Sequence, residues 1–217
     1  VDFGSQTAHL IGRRVRELGI EIKILPPENI PHNVSNDKSI KGIILSGGPS
    51  SVYEKGAPTI DARIFSLRIP ILGICYGLQL TAHLLGGKVI AGRKEYGPSQ
   101  LKIENLKLKI TNKLPKQFTV WMSHGDEVIA LPKGFKTLGS TEHVPFAFVE
   151  DRRRKIIGLQ FHPEVEHTEH GLQVLRNFID ICGIGRNSNI RGQFKIQNSK
   201  FKIGEIVGSI NKTVGDS

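Results

Sequence analysis

The segment Gly73-Ile74-Cys75-Tyr76-Gly77 constrains the fold of this chain more than any other. An apolar run, Ile69 to Ile74, precedes the cysteine, and a helical pattern from Leu78 to Leu85 follows it. The segment therefore reads as strand, sharp turn and helix, with a thiol at the apex. A sulfur placed there meets the free N–H groups of a helix N-terminus, which favour an anion. The flanking glycines are expected to accept backbone angles that other residues resist, letting the thiol stand proud of the sheet. A nucleophile of this kind also needs a base, and the base needs a group to orient it. The distant His162-Pro163-Glu164 offers both.

Around this element, apolar runs alternate with helical patterns. Gly12 to Leu18 reads as a helix and Glu21 to Leu25 as a strand. Lys41 to Leu45 is a short buried strand ending at Ser46-Gly47-Gly48-Pro49, and Asp61 to Leu67 is a helix leading into the strand before Cys75. Such alternation predicts a parallel sheet covered on both faces. The second half changes character. Leu101 to Ile110 alternates apolar and polar residues, as do stretches from Thr119 to Phe148, which predicts an antiparallel addition on one edge. Ile156 to Phe161 is a strand that delivers His162, and Gly171 to Cys182 is a final helix with its apolar stripe at Leu172, Leu175, Phe178, Ile179 and Cys182. The expected fold class is α/β: a mostly parallel sheet flanked by helices, with a small antiparallel addition. This domain is expected to span residues 1–183. After Gly183 the composition shifts to Asn, Ser, Gly, Lys and Arg, so residues 184–217 read as a linker or insertion, with a short helix expected over Ile203 to Val214.

The 217 residues carry a formal net charge of +10, which raises the question of nucleic acid. The excess is spread along the chain: 24 basic against 18 acidic residues over 1–183, and 6 against 2 over 184–217. The one dense cluster, Arg152-Arg153-Arg154-Lys155, lies between the strand-like runs Phe146 to Val149 and Ile156 to Phe161 and reads as a solvated hairpin turn. No nucleic-acid partner is expected. No run approaches the roughly 20 apolar residues of a membrane helix, so no membrane partner is expected either. Two cysteines, Cys75 and Cys182, form no disulfide framework and suit a reducing, cytoplasmic setting. The opening Val1-Asp2-Phe3-Gly4 reads as the end of a strand cut short.

The candidate chemistry is nucleophilic. Cys75 is the nucleophile, His162 the base, and Glu164 the group that holds one imidazole nitrogen while the other faces the thiol. Residues two apart on a strand share a face, although Pro163 bends the chain between them. The loop Ser46-Gly47-Gly48-Pro49 follows a parallel strand and so lies on the same sheet edge as Cys75. The N–H groups of Gly48 and Tyr76 are the candidate oxyanion donors. A phosphate cradle is the rival reading of this loop, but Pro49 removes one N–H and no Walker-type Lys-Ser/Thr follows. A metal site is the rival reading of His162 to His170. Its spacing matches neither His-Glu-x-x-His nor a Cys/His finger, and no metal is expected. Cys182 and His83 are read as structural.

These residues resemble those of the class I, triad-type glutamine amidotransferases, whose fold is flavodoxin-like. Within that class they resemble the amidotransferase domain of GMP synthases. The resemblance rests on Asp2-Phe3-Gly4-Ser5-Gln6, Leu45 to Val52, Gly73 to Gln79, Glu95-Tyr96-Gly97, Met122-Ser123-His124-Gly125-Asp126 and Phe161 to Thr168. It implies hydrolysis of glutamine to glutamate and ammonia by Cys75, His162 and Glu164, with Gly48 and Tyr76 as oxyanion hole. By motif position it places Gln79, Ser123, His124 and Asp126 in or near the glutamine pocket. It further implies a partner, an ATP-pyrophosphatase synthetase domain or subunit that aminates XMP to GMP. ATP and Mg²⁺ would belong there, with no cofactor in this domain. Three other readings remain open: an amidotransferase of another pathway, another cysteine-triad hydrolase such as a peptidase or γ-glutamyl hydrolase, or a regulatory subunit.

Overall fold

The structure is a computed structural model and describes residues 1–30 and 34–184. The expectations for the segment from residue 185 onward, including the short helix, lie outside the described residues. The elements are α1 (Thr7–Glu17), β1 (Ile43–Leu45), β2 (Ile71–Ile74), α2 (Tyr76–Leu84), β3 (Lys88–Ile103), β4 (Gln117–Ala130), β5 (Lys136–Ser140), β6 (Phe148–Asp151), β7 (Ile156–Leu159) and α3 (Gly171–Ile181). Short 3₁₀ turns lie at Pro27–Asn29, Val34–Asn36 and Ala62–Ser66. Seven strands form one sheet in the order β1-β2-β7-β6-β5-β3-β4.

The α/β class is observed, with a mixed sheet in which the antiparallel part is larger than the small addition expected. The parallel part comprises β1, β2 and β7. The antiparallel part takes in every pairing from β7 across to β4. The alternation of side chains on β2 explains the layers. Leu72 and Ile74 enter a core cluster with Ile11 and Val15 of α1 and Leu175 and Phe178 of α3. Ile71 enters a second cluster with Tyr76 and Leu80 of α2 and with Ile64 and Phe65 of the 3₁₀ turn. Helices therefore cover both faces, because a strand buried on both sides presents apolar residues to both. Both α1 and α3 turn an apolar side toward this core, with Ala8, Ile11, Gly12 and Val15 buried on α1 and Val174, Leu175, Phe178 and Ile179 on α3; of the expected α3 stripe, Leu172 instead faces outward and is exposed, and Val174 takes the buried place.

Several expectations are corrected. Glu21 to Leu25 is not a strand; the Asp2 N–H donates to its Leu25 carbonyl (2.9 Å). Val1 to Phe3 itself runs beside β1, where the Ser46 N–H donates to the Val1 carbonyl (3.1 Å). The Asp61 to Leu67 helix is only the 3₁₀ turn Ala62–Ser66, whose N-cap Asp61 accepts from the Arg63 N–H. The alternation from Leu101 to Ile110 continues as strand only to Ile103. There, side chains offer the backbone another path: Asn105 Oδ1 accepts from the Lys107 N–H (2.9 Å), and the Thr111 hydroxyl donates to the Asn105 carbonyl (2.8 Å). The long strand β3 begins at Lys88, in a glycine-broken stretch that shows no apolar alternation. It is held as a strand by pairing with β4 along most of its length. Arg152 to Lys155 does form the turn between β6 and β7. Asp151 caps that turn by accepting from the Arg154 N–H (3.0 Å).

The glycines around Cys75 act differently from expectation. Neither Gly73 nor Gly77 has a positive φ; Cys75 itself does. The two glycines are needed for close approach instead. A Cβ on Gly73 would lie 2.8 Å from the Gly77 carbonyl group, and one on Gly77 would collide with the Leu45 carbonyl oxygen of β1. The obstacle in both cases is backbone, which cannot swing aside. We expect Gly77→Ala to lower stability by about 3 kcal/mol, the upper part of the usual overpacking range, read as the fall in the urea unfolding midpoint.

Candidate active site

Cys75 sits at the N-cap of α2 with φ 50° and ψ −105°. Such a conformation costs a non-glycine residue on the order of 1–3 kcal/mol and persists only where surrounding structure imposes it. The imposing contacts are close at hand. The Cys75 N–H donates to the Leu159 carbonyl of β7 (2.7 Å), and the Gly77 N–H donates to the Ser46 carbonyl (3.0 Å). Cys75 is 5% exposed. Its sulfur lies 3.5 Å from the Ser123 carbonyl, to which the S–H donates.

His162 follows β7, where the chain leaves the parallel sheet and reaches β4. Its N–H donates to the Trp121 carbonyl (3.1 Å), and the Thr168 hydroxyl donates to the His162 carbonyl (2.6 Å) while accepting from the Trp121 N–H (3.0 Å). The Glu169 carboxylate then accepts from the Thr119 N–H (2.7 Å), and the Glu169 N–H donates to the Thr119 carbonyl (2.9 Å). The segment is thus clamped along β4. On the other side, Arg14 of α1 donates through Nε to the Glu164 carbonyl (3.1 Å). Within this clamp the Pro163 bend leaves His162 Nδ1 and Glu164 Oε1 2.8 Å apart, both side chains buried.

That pair dominates the local electrostatics. Burial pushes the His162 imidazolium toward losing its proton, but the Cys75 thiol and the Glu164 carboxylate outweigh burial and raise the pKa to about 10. Cys75 is therefore near enough to favour the charged ring, although Nε2 itself is buried with no aligned hydrogen bond. The loop after β1 closes the third side: a Cβ on Gly47 would stand 3.2 Å from His162 Cε1, and one on Gly48 would stand 3.0 Å from the Phe3 carbonyl oxygen and 3.3 Å from Tyr76 Cγ. Gly48 and Tyr76 are thus neighbours, and the first turn of α2 leaves the Tyr76 N–H without an intrahelical acceptor.

The four residues placed near the glutamine pocket are also together. Gln79 Nε2 donates to the Asp126 carbonyl (2.8 Å), as does His124 Nδ1 (3.0 Å). Asp126 Oδ1 accepts from the Tyr53 hydroxyl (2.9 Å). Ser123 supplies the carbonyl beside the Cys75 sulfur. The structure also adds residues to which no role was assigned from sequence. Gln160 donates to the Cys75 sulfur (3.6 Å), and Glu95 Oε2 lies 3.4 Å from His124 Nε2. Burial lowers the His124 pKa against the raising influence of Glu95. Glu95 stood within a motif, but nothing local marked which β4 residue it would face. The three histidines of the segment His162 to His170 diverge: His162 meets Glu164, His167 lies against the Trp121 ring (4.7 Å between centroids) and His170 meets the edge of Phe118 (5.5 Å). Among the described residues no group of three His, Cys, Asp or Glu side chains is placed to hold a metal ion, and no helix is long and apolar enough to cross a membrane.

The glutamine amidotransferase class-I family model matches residues 1–182. The chain belongs to the class I glutamine amidotransferases. This amidotransferase is 47% identical over 219 residues to the glutamine-hydrolyzing GMP synthase of Aquifex aeolicus, a match covering 100% of this chain and 41% of that protein. It is 49% identical over 180 residues to the corresponding enzyme of Staphylococcus carnosus, covering 82% of this chain and 34% of that protein. It therefore spans roughly two fifths or less of the length of these two relatives. Among solved structures, a Thermoplasma acidophilum protein described as one subunit of a GMP synthase superposes with a TM-score of 0.74 at 34% identity, covering 84% of this chain and 92% of that one.

The raised His162 pKa sets a pH dependence. A proton held more tightly in the folded state contributes stability that is fully present below the unfolded-state value near 6.5 and is lost as pH rises through about 10. We expect the urea midpoint to contain a component that falls across that window. Replacing Glu164 with Gln should shrink it, because the neutral amide no longer holds the imidazolium. Paired urea titrations at pH 6.5 and pH 10 check this.

Proposed function

We propose that this amidotransferase hydrolyses glutamine to glutamate and ammonia. In this reading His162 holds its proton as the imidazolium beside Glu164, and the Cys75 sulfur attacks the side-chain amide carbon as the thiolate. The N–H groups of Gly48 and Tyr76 stabilise the oxyanion of the tetrahedral intermediate. His162, steered by Glu164, protonates the departing nitrogen, and ammonia leaves a γ-glutamyl thioester on Cys75. His162 then takes a proton from water, whose oxygen attacks the thioester, and glutamate departs as the thiolate is restored beside the imidazolium. Gln79, Ser123, His124 and Asp126 shape the glutamine pocket from α2 and β4.

What carries this reading is the strained Cys75 apex beside the buried His162–Glu164 pair, in a chain of this family. The naming of its relatives as glutamine-hydrolyzing GMP synthases supports the destination of the ammonia. It is delivered to an ATP-dependent synthetase domain or subunit that aminates XMP to GMP. ATP and Mg²⁺ serve that partner, and glutamine is the substrate of this part, which needs no cofactor of its own. The free Cys75 and Cys182 suit the reducing cytoplasm as the setting.

The test is glutamate release from glutamine by this chain, measured alone and together with a GMP synthetase domain, XMP and Mg-ATP. We expect turnover that the partner and its substrates stimulate, and no hydrolysis of γ-glutamyl peptides at a comparable rate. Cys75→Ala should abolish glutamate release while leaving the circular dichroism spectrum unchanged; retained turnover would remove Cys75 from the mechanism.

A further inference from the structure

Gln160 is 1% exposed, one residue beyond β7 and two before His162. A buried amide must satisfy both its ends, and its surroundings decide which way it faces. The decision starts at the Asp126 carbonyl, which can only accept. It fixes the nearby end of the Gln79 amide as the NH₂ group, at 2.8 Å. That NH₂ also donates to Gln160 at 3.4 Å, which fixes the facing atom as Gln160 Oε1. The remaining end of Gln160 is then Nε2, and it points at the Cys75 sulfur at 3.6 Å.

The sulfur thus lies between two contacts of opposite preference. The Ser123 carbonyl, 3.5 Å away, accepts from S–H and suits the neutral thiol. The Gln160 N–H suits the anion, because a donor to a charged acceptor gains strength that a donor to a neutral one does not. We propose that Gln160 is a further catalytic residue, whose side-chain N–H stabilises the Cys75 sulfur as an anion and aims it, under an orientation imposed through Gln79 by the Asp126 backbone. Gln160 itself transfers no atom: the sulfur's proton passes to solvent and leaves a thiolate beside the His162 imidazolium, the Ser123 carbonyl loses its donor, and the Gln160 contact tightens. The proposal rests on the reading of Cys75 as nucleophile.

The contact predicts how alkylation of Cys75 depends on pH. Hydrogen bonds to charged groups contribute enough that losing one shifts an equilibrium by about tenfold or more. Alkylation of the full chain by iodoacetamide is followed at the Cys75 peptide by mass spectrometry, which separates it from Cys182. In Gln160→Met we expect the rate at pH 7 to fall about tenfold, while the rate at pH 10 matches that of the unsubstituted chain. Gln160→Glu keeps an acceptor for Gln79 but turns an oxygen toward the sulfur, and should lower the pH 7 rate further. A folded Gln160→Met with an unchanged profile, or one reduced equally at every pH, overturns the proposal, the second result marking Gln160 as structural. Should neither variant fold, the unsubstituted chain still decides. The Gln160 side-chain amide proton resonances must then shift with the same pH midpoint as Cys75 alkylation, and resonances that ignore that midpoint refute the contact. Alkylation does not require glutamine turnover, so these outcomes are independent of the Cys75→Ala assay that tests the function itself.

Discussion

The architecture around the site depends on how tightly the turn after β2 packs against β1. Gly73 and Gly77 have no side chains because the β2-to-α2 turn folds back on itself and onto the Leu45 carbonyl. With both glycines pressed into backbone, the residue midway between them takes up the conformational strain. That residue is Cys75, at φ 50° and ψ −105°. The strain costs a small amount of free energy, offset by burial of β2 on both faces. Its consequence is positional: the thiol is lifted to the N-terminus of α2 and cannot relax into the helix.

The second constraint joins the two halves of the sheet. The segment after β7 is held to β4 through Trp121, Thr168 and Glu169, so His162 depends on a strand from the antiparallel part. Glu164 is gripped from the other side by Arg14 of α1. A charged, buried imidazole–carboxylate pair is stable only when its geometry is imposed from outside. The antiparallel extension imposes it here. Without β4 the His162 N–H would lose its acceptor, and the hydroxyl that reaches the His162 carbonyl would lose its anchor.

A continuous line of buried polar groups then runs from β4 to the sulfur: the Asp126 carbonyl, the Gln79 amide, the Gln160 amide and Cys75. Each group has its donors and acceptors assigned by the one before it, as buried polar groups in a low-dielectric interior require. Asp126 of β4 is therefore coupled physically to the Cys75 sulfur, and through the Tyr53 hydroxyl Asp126 also touches the surface.

The local elements were legible because their signals are local. A strand ending in a glycine-flanked cysteine before a helical period, the stripe on α3, and the turn between β6 and β7 each follow from side-chain spacing over a few residues. Patterning alone also determined the α/β class. Other features depended on distant partners. Strand β3 is irregular in pattern and glycine-broken over most of its length, and its pairing with β4 is what makes that length a strand. The Leu101 to Ile110 alternation ended early because Asn105 and Thr111 hydrogen-bond their own backbone. The positive φ fell on Cys75 rather than on the glycines, because close packing against Leu45 is invisible to a reading of single residues. Gln160 and Glu95 gained neighbours only through register and curvature of the sheet. By itself the sequence determined which residues could react; the tertiary structure decided which of them meet, since periodicity encodes the face a side chain occupies but not what is packed against it.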